Sequence, residues 1–155
     1  MAGWLEEIVR IAILNGPNLN LLGTREPSLY GSVTLAELES RLRDVAAELN
    51  VELVFEQHNG EGQLIDAVHR LAGSCDGAVV NAGAYTHTSL ALRDAFTGTG
   101  LRFVEVHITN VYAREPERRH SMLAAAAIAT LGGFGPAGYE LALRGLVSTL
   151  VPEGG

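Results

Sequence analysis

Short apolar runs alternate with amphipathic segments along most of this chain. Ile8–Leu14, Val51–Phe55, Gly77–Asn81 and Leu101–Val106 are β-branched or continuously apolar, the pattern of strands covered on both faces. Ile128–Leu131 is a weaker fifth run. Helical periodicity fills the intervals. A first helix is predicted from Thr34, where Glu37 three residues on makes a capping-box pattern; it aligns Leu35, Leu38, Leu42, Val45 and Leu49 on one stripe. A second covers Glu61–Ala72 with Leu64, Ile65, Val68 and Leu71 inward, and a third runs over Ser89–Phe96. The last spans Ala137–Leu150 and presents Leu141, Leu143, Leu146 and Leu150. No internal repeat or linker interrupts the series. Residues 1–155 are therefore expected to form one domain with an ordered core over about 8–150 and frayed ends, Val151–Gly155 among them.

Five βα units predict an α/β fold: a doubly wound, five-stranded parallel sheet of order 2-1-3-4-5 with helices on both faces. Ligands of such sheets bind beyond the carboxyl ends of the strands, where the order reverses. The residues expected there are Asn15 after the first strand, Gln57-His58-Asn59 after the second, Asn81 after the third and Glu105-Val106-His107 at the end of the fourth. All are polar but one, and all would gather on one rim.

The connection from Asn15 to Gly31, NGPNLNLLGTREPSLYG, is long for this architecture, whose loops usually run about 2–6 residues. It is expected to be a lid or part of a site. It carries Arg25 five residues before Tyr30, with Gly23 and Gly31 as possible hinges. A phenol, with an ordinary pKa of about 10, is a poor base near neutrality unless a cation favours its phenolate. An Arg on the same loop meets that need.

Composition narrows the partners. Eighteen acids against eleven bases give a net charge of −7, which argues against nucleic acid or an anionic membrane. A small anionic ligand held by a few arginines stays compatible. The single Cys75 cannot form an internal disulfide, in keeping with a reducing cytoplasm. No apolar stretch reaches the roughly 18 residues of a membrane helix, and the first ten residues carry acids where a signal peptide has bases. A soluble cytoplasmic protein is expected. There is no lysine, so imine chemistry through a side-chain amine is excluded.

Glu105 and His107 stand two apart on a strand and so share a face. A carboxylate beside an imidazole can orient it as a general acid or base. A satisfied polar pair at a strand end is the alternative, and the other rim residues favour the catalytic reading. In NAGAYTHTSLALRDA, Thr86–Ser89 offers helix caps, which leaves Asn81 and His87 unexplained by capping; Asp94 falls on the following helix, by default on its solvated face. Spacing of four places Arg114 and Arg118 on one side of a short helix, suited to binding a carboxylate, with Arg119 as surface charge. Gly133-Phe-Gly-Pro-Ala-Gly138 matches a dinucleotide fingerprint only formally, because no further strand with an acid follows it. A tight turn and close packing are the expected uses of these glycines. The five histidines follow no metal-ligand spacing.

Four motifs in order, NGPNLNLLGTREPSLYG, EGQLIDAVH, NAGAYTHTSLALRDA and EVHITNVYARE, make the chain closely resemble type II 3-dehydroquinate dehydratases from about Ile8 to Leu150. The resemblance implies a flavodoxin-like domain, a dodecamer of trimers, and no cofactor or metal. It implies that Tyr30 removes a C2 proton of 3-dehydroquinate, that Arg25 activates Tyr30, and that Asn18 holds a water against the developing enolate. His107, oriented by Glu105, would then protonate the departing C1 hydroxyl. Asn81 with Ile108 and Thr109 would hold the substrate carboxylate, His87 and Arg118 the ring hydroxyls. Asp94 would reach a neighbouring subunit's site, and Arg114 would be structural or dock the lid. Where the family usually has Ser, an aromatic residue and Ser, this chain has Thr109, Glu117 and His58; none of these changes removes a catalytic group.

Overall fold

A computed structural model describes residues 7–24 and 26–151. Arg25 and both tails therefore lie outside the described residues. Five strands, β1 (Arg10–Asn15), β2 (Glu52–Gln57), β3 (Gly77–Asn81), β4 (Phe103–His107) and β5 (Ala129–Gly132), form one parallel sheet of order β2-β1-β3-β4-β5. Helices α1 (Pro27–Tyr30), α2 (Leu35–Leu49), α3 (Glu61–Ala72), α4 (Leu90–Thr99) and α5 (Ala137–Leu150) supply the connections. The expected fold class and strand order are the observed ones.

Alternation along the strands assigns each face its own core. Ile11, Ile13, Val79, Val104 and Val106 pack with Leu38, Leu42, Leu143 and Leu146 of α2 and α5. Ala12, Leu14, Ala78, Val80 and Phe103 pack with Leu64, Val68, Leu92 and Phe96 of α3 and α4. Each fully buried large apolar side chain is worth about 1.5–3 kcal/mol, so these two layers hold the sheet's geometry.

Local signals explain the boundaries. The Thr34 hydroxyl accepts from the Glu37 N–H (3.1 Å) to start α2, and Asn50, at φ 57°, ends it. Ser89 caps α4 through the Leu92 N–H (2.9 Å), and Gly100, at φ 72°, closes it. Several expectations shift. β1 begins at Arg10, with Ile8 exposed, because the neighbouring strands start level with Arg10 and Ile11. Leu141 is exposed, and Tyr139 and Ala142 occupy the inward face of α5 instead. The long connection contains a 3-10 turn at Leu19–Leu21 and the one-turn helix α1, entered by Pro27. No helix covers Arg114–Arg118. Pro116 divides the stretch into 3-10 turns at Val111–Ala113 and Pro116–Arg118, because it cannot donate the N–H a continuous helix requires.

Among the described residues, no helix is long and apolar enough to cross a membrane.

Candidate active site

The sheet order reverses between β1 and β3, and parallel register sets Asn15 level with both Gln57 and Asn81. Above that point lies an open pocket at the carboxyl ends of the strands, the place where sheets of this kind bind ligands. Asn18 and Tyr30 enter from the loop after β1, Asn81 and His87 from β3 and its loop, and His107, Thr109, Arg114 and Arg118 from β4 and beyond. The described lining holds two arginines and two histidines and no carboxylate. An acidic chain thus keeps a locally cationic cavity, suited to an anion.

His107 Nε2 lies 2.9 Å from Glu105 Oε2, and both residues are buried. The i, i+2 spacing therefore brings carboxylate and imidazole together as expected. Ser121 donates its hydroxyl to the other oxygen, Glu105 Oε1 (2.5 Å), so both carboxylate oxygens are held. The His87 and His107 rings stack with centroids 6.1 Å apart. His87 Nδ1 is 2.7 Å from the His120 carbonyl oxygen. Burial lowers the pKa of the His87 imidazole; the His120 carbonyl opposes that shift, and His107 and Arg118 reinforce it.

The Asn81 amide is fixed at both ends. Its Nδ2 donates to the Tyr139 hydroxyl (2.9 Å), and its Oδ1 accepts from the Gly83 N–H (3.1 Å). Tyr139 in turn donates to Asn15 Oδ1 (2.6 Å). Burial pushes the Tyr139 phenol far above its ordinary range, so it serves as a neutral hydrogen-bonding group. With Oδ1 engaged by Gly83 and one Nδ2 hydrogen by Tyr139, the amide has one N–H left to donate.

The arginines take different partners. The Arg114 guanidinium lies 5.4 Å from the Tyr30 ring centroid and makes a long contact, 3.5 Å, to the Thr109 hydroxyl. Arg118 is paired with Glu115, which holds the Glu115 carboxyl below its usual range. That pairing gives the Arg118 guanidinium a fixed partner at the pocket edge. Arg119 lies exposed and donates to the Arg114 carbonyl (2.9 Å).

Polar residues after β2 hold the neighbouring loop rather than line the cavity. Asn59 Oδ1 accepts from the Asn18 N–H (3.0 Å) and Gln57 Nε2 (3.0 Å), and Gln57 Nε2 also reaches the Gly16 carbonyl (3.0 Å). His58 turns to Glu56 (2.7 Å), which Arg70 also binds. Asn18 itself sits in the left-handed region at φ 69°. Asp94 is on the exposed side of α4 and outside the pocket lining. Among the described residues no three His, Cys, Asp or Glu side chains gather as a metal-ligand set.

Glycines behind β5 let the backbone close in. A Cβ on Gly132 would stand 3.1 Å from the Thr109 carbonyl oxygen, and one on Gly138 would stand 3.0 Å from Leu131. Gly133 and Gly135 adopt φ 98° and 63°. The formal dinucleotide pattern is therefore a turn and packing device that supports the end of β4. Tyr139 and Ser121 were not singled out from sequence. A Tyr next to Gly138 on the inward face of α5, and a Ser directly after His120, were the available signals.

The family model described as dehydroquinase class II matches residues 9–147. The 3-dehydroquinate dehydratase of Gemmatimonas aurantiaca is 62% identical over 140 residues, covering 90% of this chain and 92% of that protein. The type II dehydroquinase structure from Butyrivibrio crossotus is similar at TM-score 0.89 and 37% identity, covering 91% of this chain and 99% of that one. The type II dehydroquinase structure from Propionibacterium acnes gives TM-score 0.86 at 37% identity, covering 92% and 99%.

Proposed function

The chain belongs to the class II dehydroquinase family, and from that premise we propose a mechanism and an assembly for its 3-dehydroquinate dehydratase activity. The enzyme is a carbon–oxygen lyase that removes water from 3-dehydroquinate to give 3-dehydroshikimate, in the shikimate/quinate pathway. The elimination is anti and passes through an enolate. Tyr30, as phenolate, takes the C2 proton, and the electrons of that C–H bond move onto the C3 ketone oxygen. The enolate then collapses as the C1–O bond breaks, and His107 delivers the proton that makes the leaving hydroxyl water.

The observation that carries this reading is one pocket lined by both Tyr30 and His107, with the Glu105 carboxylate 2.9 Å behind the imidazole. Preorganised donors stabilise charge on a developing oxyanion in such a site. Arg25 is the cation that favours the Tyr30 phenolate, and Asn18 holds a water against the enolate oxygen. Asn81, Ile108 and Thr109 bind the substrate carboxylate, while His87 and Arg118 bind ring hydroxyls. A chain without lysine has no side-chain amine for a Schiff base, and the mechanism asks for neither cofactor nor metal. The subunits form a dodecamer of trimers in the cytoplasm, with Asp94 reaching the site of a neighbouring subunit. Loop closure over the substrate excludes water.

The direct test is formation of the conjugated enone from 3-dehydroquinate, followed by ultraviolet absorbance without added metal. Borohydride with substrate present is expected to leave the enzyme active. Tyr30→Phe is expected to keep the fold and lose turnover; near-normal turnover would remove Tyr30 from the role of base.

A further inference from the structure

Both pocket imidazoles are held by one short stretch of chain. Residues 120–122 run beside 86–87, and the Met122 N–H donates to the Thr86 carbonyl (2.7 Å). In the same pairing the His120 carbonyl oxygen lies 2.7 Å from His87 Nδ1. A carbonyl can only accept, so Nδ1 carries the hydrogen and Nε2 of the neutral ring is left as an acceptor.

One residue later the Ser121 hydroxyl is fully engaged. It accepts from the Leu123 (3.1 Å) and Ala124 (3.0 Å) N–H groups, and its single proton goes to Glu105 Oε1. Glu105 is 3% exposed, so water cannot readily replace that donor. The opposite oxygen, Oε2, faces His107 Nε2. An ionised carboxylate also only accepts, so the hydrogen sits on Nε2 and Nδ1 is the atom that remains for the pocket.

We propose that His120-Ser121 is a positioning element that fixes the tautomers of both pocket histidines. The His120 carbonyl holds His87 as Nδ1–H with a bare Nε2. Ser121 anchors Glu105 and so holds His107 with Nε2 on the carboxylate and Nδ1 toward the substrate. The functional consequence rests on the dehydratase reading above: His107 acts as the imidazolium, protonated on both nitrogens, so the proton delivered to the leaving hydroxyl comes from Nδ1 and the ring is left as the Nε2–H tautomer. The two contacts differ in kind, since His120 acts through its backbone and Ser121 through its side chain.

Imidazole ¹⁵N NMR of the labelled full-length protein, without substrate and at alkaline pH, reads the tautomers directly. His87 is expected as Nδ1–H and His107 as Nε2–H. Either ring in the opposite form overturns the proposal, with no variant required. In Ser121→Ala, His107 is expected to become a tautomeric mixture while His87 stays unchanged. Its kcat should fall roughly tenfold, part of the about 10²–10⁴ that positioned proton transfer supplies, with KM within about twofold and Ser121→Thr restoring both signals. A folded Ser121→Ala protein with wild-type kcat and an unchanged His107 tautomer also overturns it. A wild-type protein inactive on 3-dehydroquinate yet showing both tautomers would sink the dehydratase reading and support the positioning one.

Discussion

Tyr139 donates to Asn15 and accepts from Asn81, so one phenol on α5 locks two amides at the ends of adjacent strands. Strand parity makes this possible. Asn15 shares a face with Ile11 and Ile13, and Asn81 shares one with Val79, the side covered by α5. Tyr139→Phe keeps the ring and removes the hydroxyl, leaving a buried amide oxygen and a buried amide N–H without their partner. That loss is expected to lower stability by about 1–3 kcal/mol, measurable by urea unfolding. Asn81 would also lose the contact that orients it, so KM for 3-dehydroquinate should rise by a larger factor than kcat falls. An unchanged KM at reduced stability would confine Tyr139 to the core.

Elements set the site by how closely their ends approach. The Gly16 N–H donates to the Asn81 carbonyl (2.7 Å), and a Cβ at Gly16 would fall 2.4 Å from the Ala82 carbonyl oxygen. Backbone cannot yield as a flexible side chain can, so Gly16→Ala must push the β1 and β3 exits apart. A destabilisation of about 1–3 kcal/mol is expected from the overlap, read by thermal unfolding, together with loss of kcat/KM because Asn18 and Asn81 stand on those two exits. Much of this scale was legible beforehand. The strands announced themselves by continuous apolar runs, and the polar residues that end them marked the rim. Thr34 and Ser89 signalled helix starts through side-chain oxygens that do cap. What sequence concealed was tertiary: Ser121 is an ordinary loop Ser until β4 brings Glu105 beside it, and Tyr139 is an ordinary helix aromatic until Asn15 and Asn81 meet it. The helix expected at Arg114–Arg118 failed for a local reason, Pro116. Its two arginines still line the pocket, Arg114 from just after the first 3-10 turn and Arg118 from the second.

At the scale of the whole molecule, one subunit leaves Asp94 exposed on α4, away from its own pocket, and leaves Tyr112 and Phe134 more than 60% exposed. Large apolar side chains in water are a cost that a subunit contact removes. The proposed assembly makes both features useful, since Asp94 would complete a pocket in the next subunit, where it would add a carboxylate that the described lining of a single chain does not contain. Light scattering should then give a particle near twelve times 16.4 kDa. Sharing of sites can be tested more sharply by mixing. Asp94→Ala subunits retain Tyr30 but give their neighbours no carboxylate, and Tyr30→Phe subunits retain Asp94 but lack the base. Each homogeneous assembly should be nearly inactive. When the two are dissociated and reassembled together, an Asp94→Ala subunit beside a Tyr30→Phe subunit has a complete site, and activity should return to a fraction set by the mixing ratio. Particles of the right mass whose mixtures stay as inactive as their parents would mean that Asp94 does not act across the subunit contact.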